Sequence, residues 1–290
     1  MLACSVPWPY FAPRGPHGSK PKKGAEVWMM TQGVSTSVNR HLLPEHRAIV
    51  AVADFAPLFE QLHEHLERWR LPADPFEIVV LHQALAGAAL QLSFRPPAEA
   101  TAWTLNLHRP PLNVFVTGGG PDEVLTGRLF TDGVQTTGES RLYVQRRRAQ
   151  HSPTLSSVAV VGLDVLEIYE QFFQRSEQLP TRLLELSSTE MVMVQALPGA
   201  DPQWVAHLDG AAVRQRLADR PEELEQRLFR LYCGCTAERI AETLVGMFLQ
   251  DPDTLFQGDA GVETHCPRCG ARWWIDRELF ERAAAGPPRP

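Results

Sequence analysis

A chain of 290 residues, 44% of them apolar, has room for one large domain and a small one. Five cysteines are too few for a disulfide-stapled secreted scaffold, and with no run of about 18 apolar residues no transmembrane helix is predicted. The net charge is −6, and residues 221–290 hold 12 acidic against 8 basic side chains, a field that repels nucleic acid.

Residues 1–37 are proline-rich and aperiodic and are expected to be a disordered tail. The tail carries the three lysines of the chain in "KPKK", Lys20 to Lys23, and Cys4 is read as an incidental thiol. Order is expected from Val38. Phe55, Leu58, Phe59, Leu62 and Leu66 recur at helical spacing, and a second helix runs through Phe76, Val79, Val80, Gln83, Ala84, Gly87 and Ala88. The small residues Ala84, Gly87 and Ala88 would let another element pack closely. "RPPAEA" ends that helix.

The period then becomes two. Trp103, Leu105 and Leu107 alternate with Thr104 and Asn106, and Leu112, Val114 and Val116 follow in a predicted hairpin. "TGGGPDE" reads as a turn. It lacks the Lys-Ser or Lys-Thr of a phosphate loop. Further short strands are expected over 127–145, and "RRRAQH", 146–151, reads as a solvated loop. A strand at Leu155 and Val158–Val161 precedes a helical stripe of Val165, Ile168, Tyr169, Phe172 and Phe173, read as core. "SEQLPT" closes that helix at Pro180, and "RLLELS" and "MVMVQALPG" are two more strands. Helices mixed with antiparallel hairpins indicate an α+β domain over 38–202.

Residues 203–231 are charged and helix-forming, and read as a helical linker. The linker breaks at "ADRPEE", where Asp219 would cap a helix with Pro221 in its first turn. A small C-terminal domain is expected over 232–282, with a tail at 283–290. Its Ile240, Leu244, Val245, Phe248 and Leu249 form one amphipathic helix.

That small domain holds the other four cysteines in two close pairs. "YCGC" places Cys233 and Cys235 one residue apart, and "HCPRCG" places Cys266 and Cys269 two apart. Two such pairs are able to close around one tetrahedral ion, and zinc is the usual occupant of a four-thiolate site. Gly270 relieves the backbone after the second pair, and Gly234 removes a side chain from the tighter first turn. His265 adjoins Cys266, but four thiolates complete the tetrahedron, so it is expected to be exposed. In a segment of about 50 residues, metal binding would supply most of the folding free energy, on the order of 10–16 kcal/mol. Each pair is also close enough in sequence to bridge internally. A Cys-x-Cys ring is small and would be easily reduced. Oxidation of the thiolates would destroy the ligands and unfold the segment reversibly.

The quartet resembles that of the redox-regulated chaperone family heat shock protein 33, whose motif is Cys-x-Cys, about thirty residues, then Cys-x-x-Cys. "CGCTAERIAETL", "CPRCGARWWIDRELFERA", "YEQFFQRSEQLPT" (169–181), "VQALPGAD" (194–201) and "PEELEQRLF" resemble further stretches of the family. The likeness covers roughly 38–282. It is weak over 101–150, lacks a usual glycine pair before "QALPG", and finds no counterpart to tail 1–35. The resemblance implies an ATP-independent cytoplasmic holdase, not an enzyme, folded and inactive when reduced and zinc-bound. It implies that oxidation pairs Cys233 with Cys235 and Cys266 with Cys269, releases zinc, unfolds the small domain and linker, and exposes a surface for unfolding client proteins. It also implies a homodimer when oxidised. No nucleophile–base set or carboxylate dyad stands out. A zinc-ribbon binding module with purely structural metal is the main alternative. A thiol–disulfide oxidoreductase fits less well, because Cys266 and Cys269 precede the strand-like "ARWWID" rather than open a helix.

Overall fold

A computed structural model describes residues 34–134 and 138–286. The tail reading for 1–33, the lysine knot, Cys4 and residues 287–290 lie outside the described residues. The described chain forms two compact units, one of 35–234 with 267–270 and one built on 235–266 and 271–286.

The larger unit is organised by a ten-stranded sheet. Its strands are β1 (Thr36–Leu43), β2 (Ala48–Asp54), β3 (Ala100–Leu107), β4 (Leu112–Gly119), β5 (Val124–Phe130), β6 (Ser140–Arg147), β7 (Thr154–Val160), β8 (Thr181–Glu185), β9 (Glu190–Ala196) and β10 (Glu222–Leu231). Their spatial order is β7-β6-β3-β4-β5-β10-β1-β2-β9-β8. The predicted hairpin is present, with Trp103 opposite Val116 and Leu105 opposite Val114. Strand β1 starts at Thr36, which is buried in the sheet, so the tail expected over 1–37 ends earlier than read; neither β1 nor β2 is anticipated by the sequence pattern. β2 and β9 read "AIVAVAD" and "EMVMVQA", continuous apolar runs rather than alternations, because both faces are covered. Ala51, Ala53, Met191 and Met193 face the main core, while Val50, Val192 and Val194 face a second cluster.

Helices α1 (Ala56–Trp69), α2 (Pro75–Ser93) and α3 (Val165–Phe172) fill the main core. Asp74 starts α2 with a reciprocal capping box to Glu77, and Pro75 occupies the first turn. By length and composition α2 is apolar enough to cross a membrane, but most of it is buried inside the protein as a core helix. The small-residue expectation holds. The Tyr169 ring lies 2.6 Å from where a Cβ on Gly87 would stand, and its hydroxyl donates to the Ala84 carbonyl at 3.2 Å. Burial holds that phenol well above its usual range.

Helix α3 also closes the sheet. Glu170 accepts from the Leu183 N–H of β8 at 2.7 Å. Gln171 bonds both backbone groups of Val161, just past β7, at 3.0 and 2.7 Å. Arg175 donates to the Ala159 carbonyl of β7. Side chains from one helix and the π-turn after it thus satisfy groups on both outermost strands, which blunts the edges against foreign pairing. "RRRAQH" is only partly a solvated loop. Arg146 lies in the last two residues of β6 and pairs with Glu177 at 2.9 Å, and Arg148, just past the strand, pairs at 2.6 Å with Glu99, whose side chain is fully buried. A buried carboxylate without a cation is costly, and that cost draws the arginines down.

The linker reading needs correction over its second half. Helices α4 (Pro202–Ala206) and α5 (Gly210–Ala218) are present, but Asp219 caps the end of α5 rather than starting a helix. Residues 222–231 form strand β10 instead, antiparallel to β1. "EELEQRLFRL" is rich in helix formers. Only Arg227 and Phe229 are buried along it, at strand spacing, so tertiary pairing overrides propensity here. Helices α4 and α5 cover the second face of β2 and β9. Leu208 and Val213 join Val50, Val192 and Val194 in that cluster, and Trp204 packs against it. Trp204 also stacks on His46 at 3.9 Å, with the Arg216 guanidinium above its ring.

One half-buried ring makes stability depend on pH. His82 of α2 stacks at 3.8 Å on Phe59 of α1, with His63 5.2 Å away. Burial, reinforced by His63, pushes its pKa down to about 4. From pH 6.5 toward 4 the unfolded chain therefore binds a proton that the folded chain refuses, and stability falls as pH falls. The ideal loss between pH 7 and pH 5 is about 2 kcal/mol, reduced to about 1 kcal/mol for a half-exposed ring. His82→Phe keeps the stack and removes the titration. Its urea midpoint should drop less than the wild type's between these pH values; equal drops would remove His82 as the cause.

The smaller unit contains α6 (Ala237–Gln250), α7 (Pro252–Phe256), hairpin β11 (Gly261–His265) and β12 (Arg272–Asp276), and α8 (Arg277–Ala285). Its core is small. Phe280 stacks on Phe248 at 5.2 Å and meets Phe256 edge-on at 5.8 Å, with Ile240, Ala241, Ile275 and Leu279 also buried. Leu249, expected on the apolar face of α6, is 67% exposed.

Candidate metal centre

The first cysteine pair follows β10 directly. The Leu231 N–H donates to Gln61 Oε1 at 2.8 Å, and the Tyr232 N–H donates to the Leu125 carbonyl at 2.7 Å. Cys233 is therefore one residue beyond a backbone anchored to β5. Gly234 then takes a φ of +66°, a left-handed turn that a side chain would disfavour. Thr236 caps α6 by accepting from the Arg239 N–H, so Cys235 lies just before a helix start.

The second pair occupies the tip of the β11–β12 hairpin. The last ladder pair is His265 with Arg272, and the Cys266 N–H donates to the Ala271 carbonyl at 2.8 Å. Gly270 takes a φ of +79°, in keeping with the role read for it. Cys266 and Cys269 are buried, Cys233 and Cys235 half-buried.

The four Sγ atoms lie within 4.8 Å of one another, so they are close enough to bind one metal ion. A tetrahedron with metal–sulfur bonds of about 2.3 Å needs sulfurs about 3.8 Å apart, which this envelope accommodates. Four soft sulfur donors without a carboxylate or imidazole suit zinc rather than magnesium or calcium. His265 is exposed, 3.4 Å from Glu263, and outside the group, as expected. All four predicted residues converge.

Fold and site define a class: an α+β protein with a C-terminal thiol quartet fit for one metal ion. The sequence profile described as Hsp33 protein matches residues 74–276. The 33 kDa chaperonin of Nitrosococcus oceani is 26% identical over 231 residues, covering 70% of this chain and 80% of that protein. The 33 kDa chaperonin of Aliivibrio salmonicida is 26% identical over 216 residues, covering 61% and 74%. The crystal structure of the 33 kDa chaperonin (heat shock protein 33 homolog) from Thermotoga maritima shares the fold, with a TM-score of 0.63 at 18% identity over 86% of this chain and 97% of that one. The chain belongs to the Hsp33 family, whose relatives are named as chaperonins.

Proposed function

We propose that this protein is a redox-regulated, ATP-independent holdase of the cytoplasm, with Cys233, Cys235, Cys266 and Cys269 as its switch. The convergence of the four sulfurs within 4.8 Å carries the reading. Zinc, when bound, would hold all four sulfurs as thiolates and cross-link the chain at the two turns. On oxidation by hydrogen peroxide, one molecule per pair, each pair of thiolates loses two electrons and forms one S–S bond. The peroxide O–O bond breaks and, with two protons, leaves as two waters. The pairs in this reading are Cys233 with Cys235 and Cys266 with Cys269. Sulfurs bonded in pairs no longer ligate a cation, so the small unit loses the interaction that folds it.

The surface that then holds clients is placed, in this reading, under α4 and α5. Val50, Val192, Val194 and Leu186 pack there beneath a thin cover of Trp204, Leu208 and Val213. Short helices of five and nine residues hold their conformation mainly by that packing. Their departure bares a contiguous apolar sheet face of the kind that binds unfolding chains. Partners are thus unfolding proteins and, when oxidised, a second copy of this chain, with neither nucleic acid nor membrane among them. No chemistry on a substrate is invoked.

The test starts from reduced, zinc-loaded protein treated with hydrogen peroxide under mild heating. The expected result is loss of four thiols, release of one zinc per chain, and suppressed aggregation of a heat-labile client without ATP. Disulfides that form while aggregation proceeds unchanged would defeat the holdase reading. Zinc that survives the oxidant would favour a structural ribbon.

A further inference from the structure

Strand β10 joins two half-sheets, yet its hold on them is uneven. It matches β1 along most of its length, but meets β5 only through Arg230 with Val124 and Leu231 with Leu125. Residues 222–226 are exposed. Its composition favours a helix, so the strand owes its conformation to what anchors it.

The anchor in its middle is Arg227, which is 6% exposed. Its Nη1 donates to the carbonyls of Leu92, in the last turn of α2, and of Arg95 just beyond, the latter at 2.6 Å. Its Nη2 pairs with Glu123, at the entry to β5. The guanidinium thus sits where the negative end of a 19-residue helix and a carboxylate both favour a cation. The guanidinium also lies 5.4 Å from the ring of Phe229, the other buried residue of the strand. Four residues beyond Phe229 the chain reaches Cys233.

We infer that Arg227 is a latch: by binding the end of α2 and Glu123, it keeps β10 in the sheet and so keeps the reduced protein inactive. The inference rests on the holdase reading. It assigns a positioning residue upstream of the thiols, one that oxidation itself does not touch. Breaking the latch strips a helix terminus and a carboxylate of their shared partner. β10 then leaves while the quartet remains reduced and loaded, and α4 and α5, joined to it by Asp219–Pro221, lose their far tether.

The test compares wild type, Arg227→Met, Arg227→Lys and Glu225→Gln, all reduced and zinc-loaded. Glu225→Gln removes the exposed ion pair that the same strand makes with Arg40. Amide exchange is read by segment, beside zinc content, thiol count and suppression of client aggregation without oxidant. Arg227→Met should speed exchange in 222–231 at least 10-fold, leave β2 and β9 protected, and hold client while keeping four thiols and one zinc. Arg227→Lys should fall between, and Glu225→Gln should match wild type. Wild-type protection of β10 in Arg227→Met overturns the inference, as does a loosened β10 with no client held. If Arg227→Met loses protection in β2 and β9 as well, Arg227→Lys decides, and wild-type exchange in its β10 overturns the latch. Oxidised wild type that holds no client overturns the functional reading alone. The exchange comparison still decides whether Arg227 holds the strand.

Discussion

Removing zinc from the reduced protein with a strong chelator is expected to unfold residues 235–286 and leave the ten-stranded sheet standing. The small unit owns few buried side chains, chiefly Phe248, Phe256, Phe280, Ile275 and Leu279. A segment of about 50 residues buries too little apolar surface to offset its own chain entropy. Metal binding at four thiolates, worth on the order of 10–16 kcal/mol apparent, exceeds the entire stability of most domains of this size. The larger unit keeps an extensive apolar core of its own, with residues from Val38 to Phe229. Segment-resolved amide exchange or limited proteolysis reads the result directly. Cleavage should begin within 235–286 once the chelator is added and should stop when zinc is restored. A smaller unit that keeps its amide protection without metal would show that the thiols do not determine its fold.

The converse experiment leaves the thiols untouched and weakens the core beside them. Phe280 is fully buried and contacts both other phenylalanines of the unit. Phe280→Ala is expected to cost about 3–5 kcal/mol, the usual range for emptying an aromatic site in a core. Where folding and binding are one event, that cost appears as lost metal affinity. About 3 kcal/mol corresponds to roughly 100-fold in the dissociation constant. Competition with a chromophoric chelator measures it. Leu249→Ala, on the same segment but exposed, should leave affinity within about twofold. A Phe280→Ala protein that folds only with zinc yet binds it as tightly as wild type would separate the two events.

Much of the site was legible in the chain because its signals are local. Cys233 and Cys235, and Cys266 and Cys269, are pairs whose spacing carries the chemistry, and Gly234 and Gly270 mark the turns that aim them. The backbone angles agree, at +66° and +79°. Helices with a clear stripe, such as Val165 to Phe172, were legible for the same reason: 3.6-residue periodicity records which face is buried. The small residues of α2 anticipated a close neighbour, and Tyr169 is that neighbour.

The misses share a cause. β2 was not recognised, since burial on both faces erases the alternation that identifies a strand. "RRRAQH" read as solvent-facing, because the buried Glu99 that draws Arg148 inward lies 49 residues away. β10 read as a helix, because ten residues rich in Glu, Leu, Gln and Arg favour one locally. Its partners, β1 at 36–43 and β5 at 124–130, are distant in sequence and supply hydrogen bonds that no local pattern records.

By itself, then, the sequence determined the thiol quartet, the α+β class and the family likeness, all carried by residue type and short spacing. The tertiary structure alone decided that the four sulfurs converge and that α3 closes both edges of the sheet. It alone decided that the stretch leading to Cys233 is a strand held by a buried arginine. Those facts depend on pairings across tens to hundreds of residues, where long-range burial and hydrogen bonding outweigh the conformational preference of any single segment.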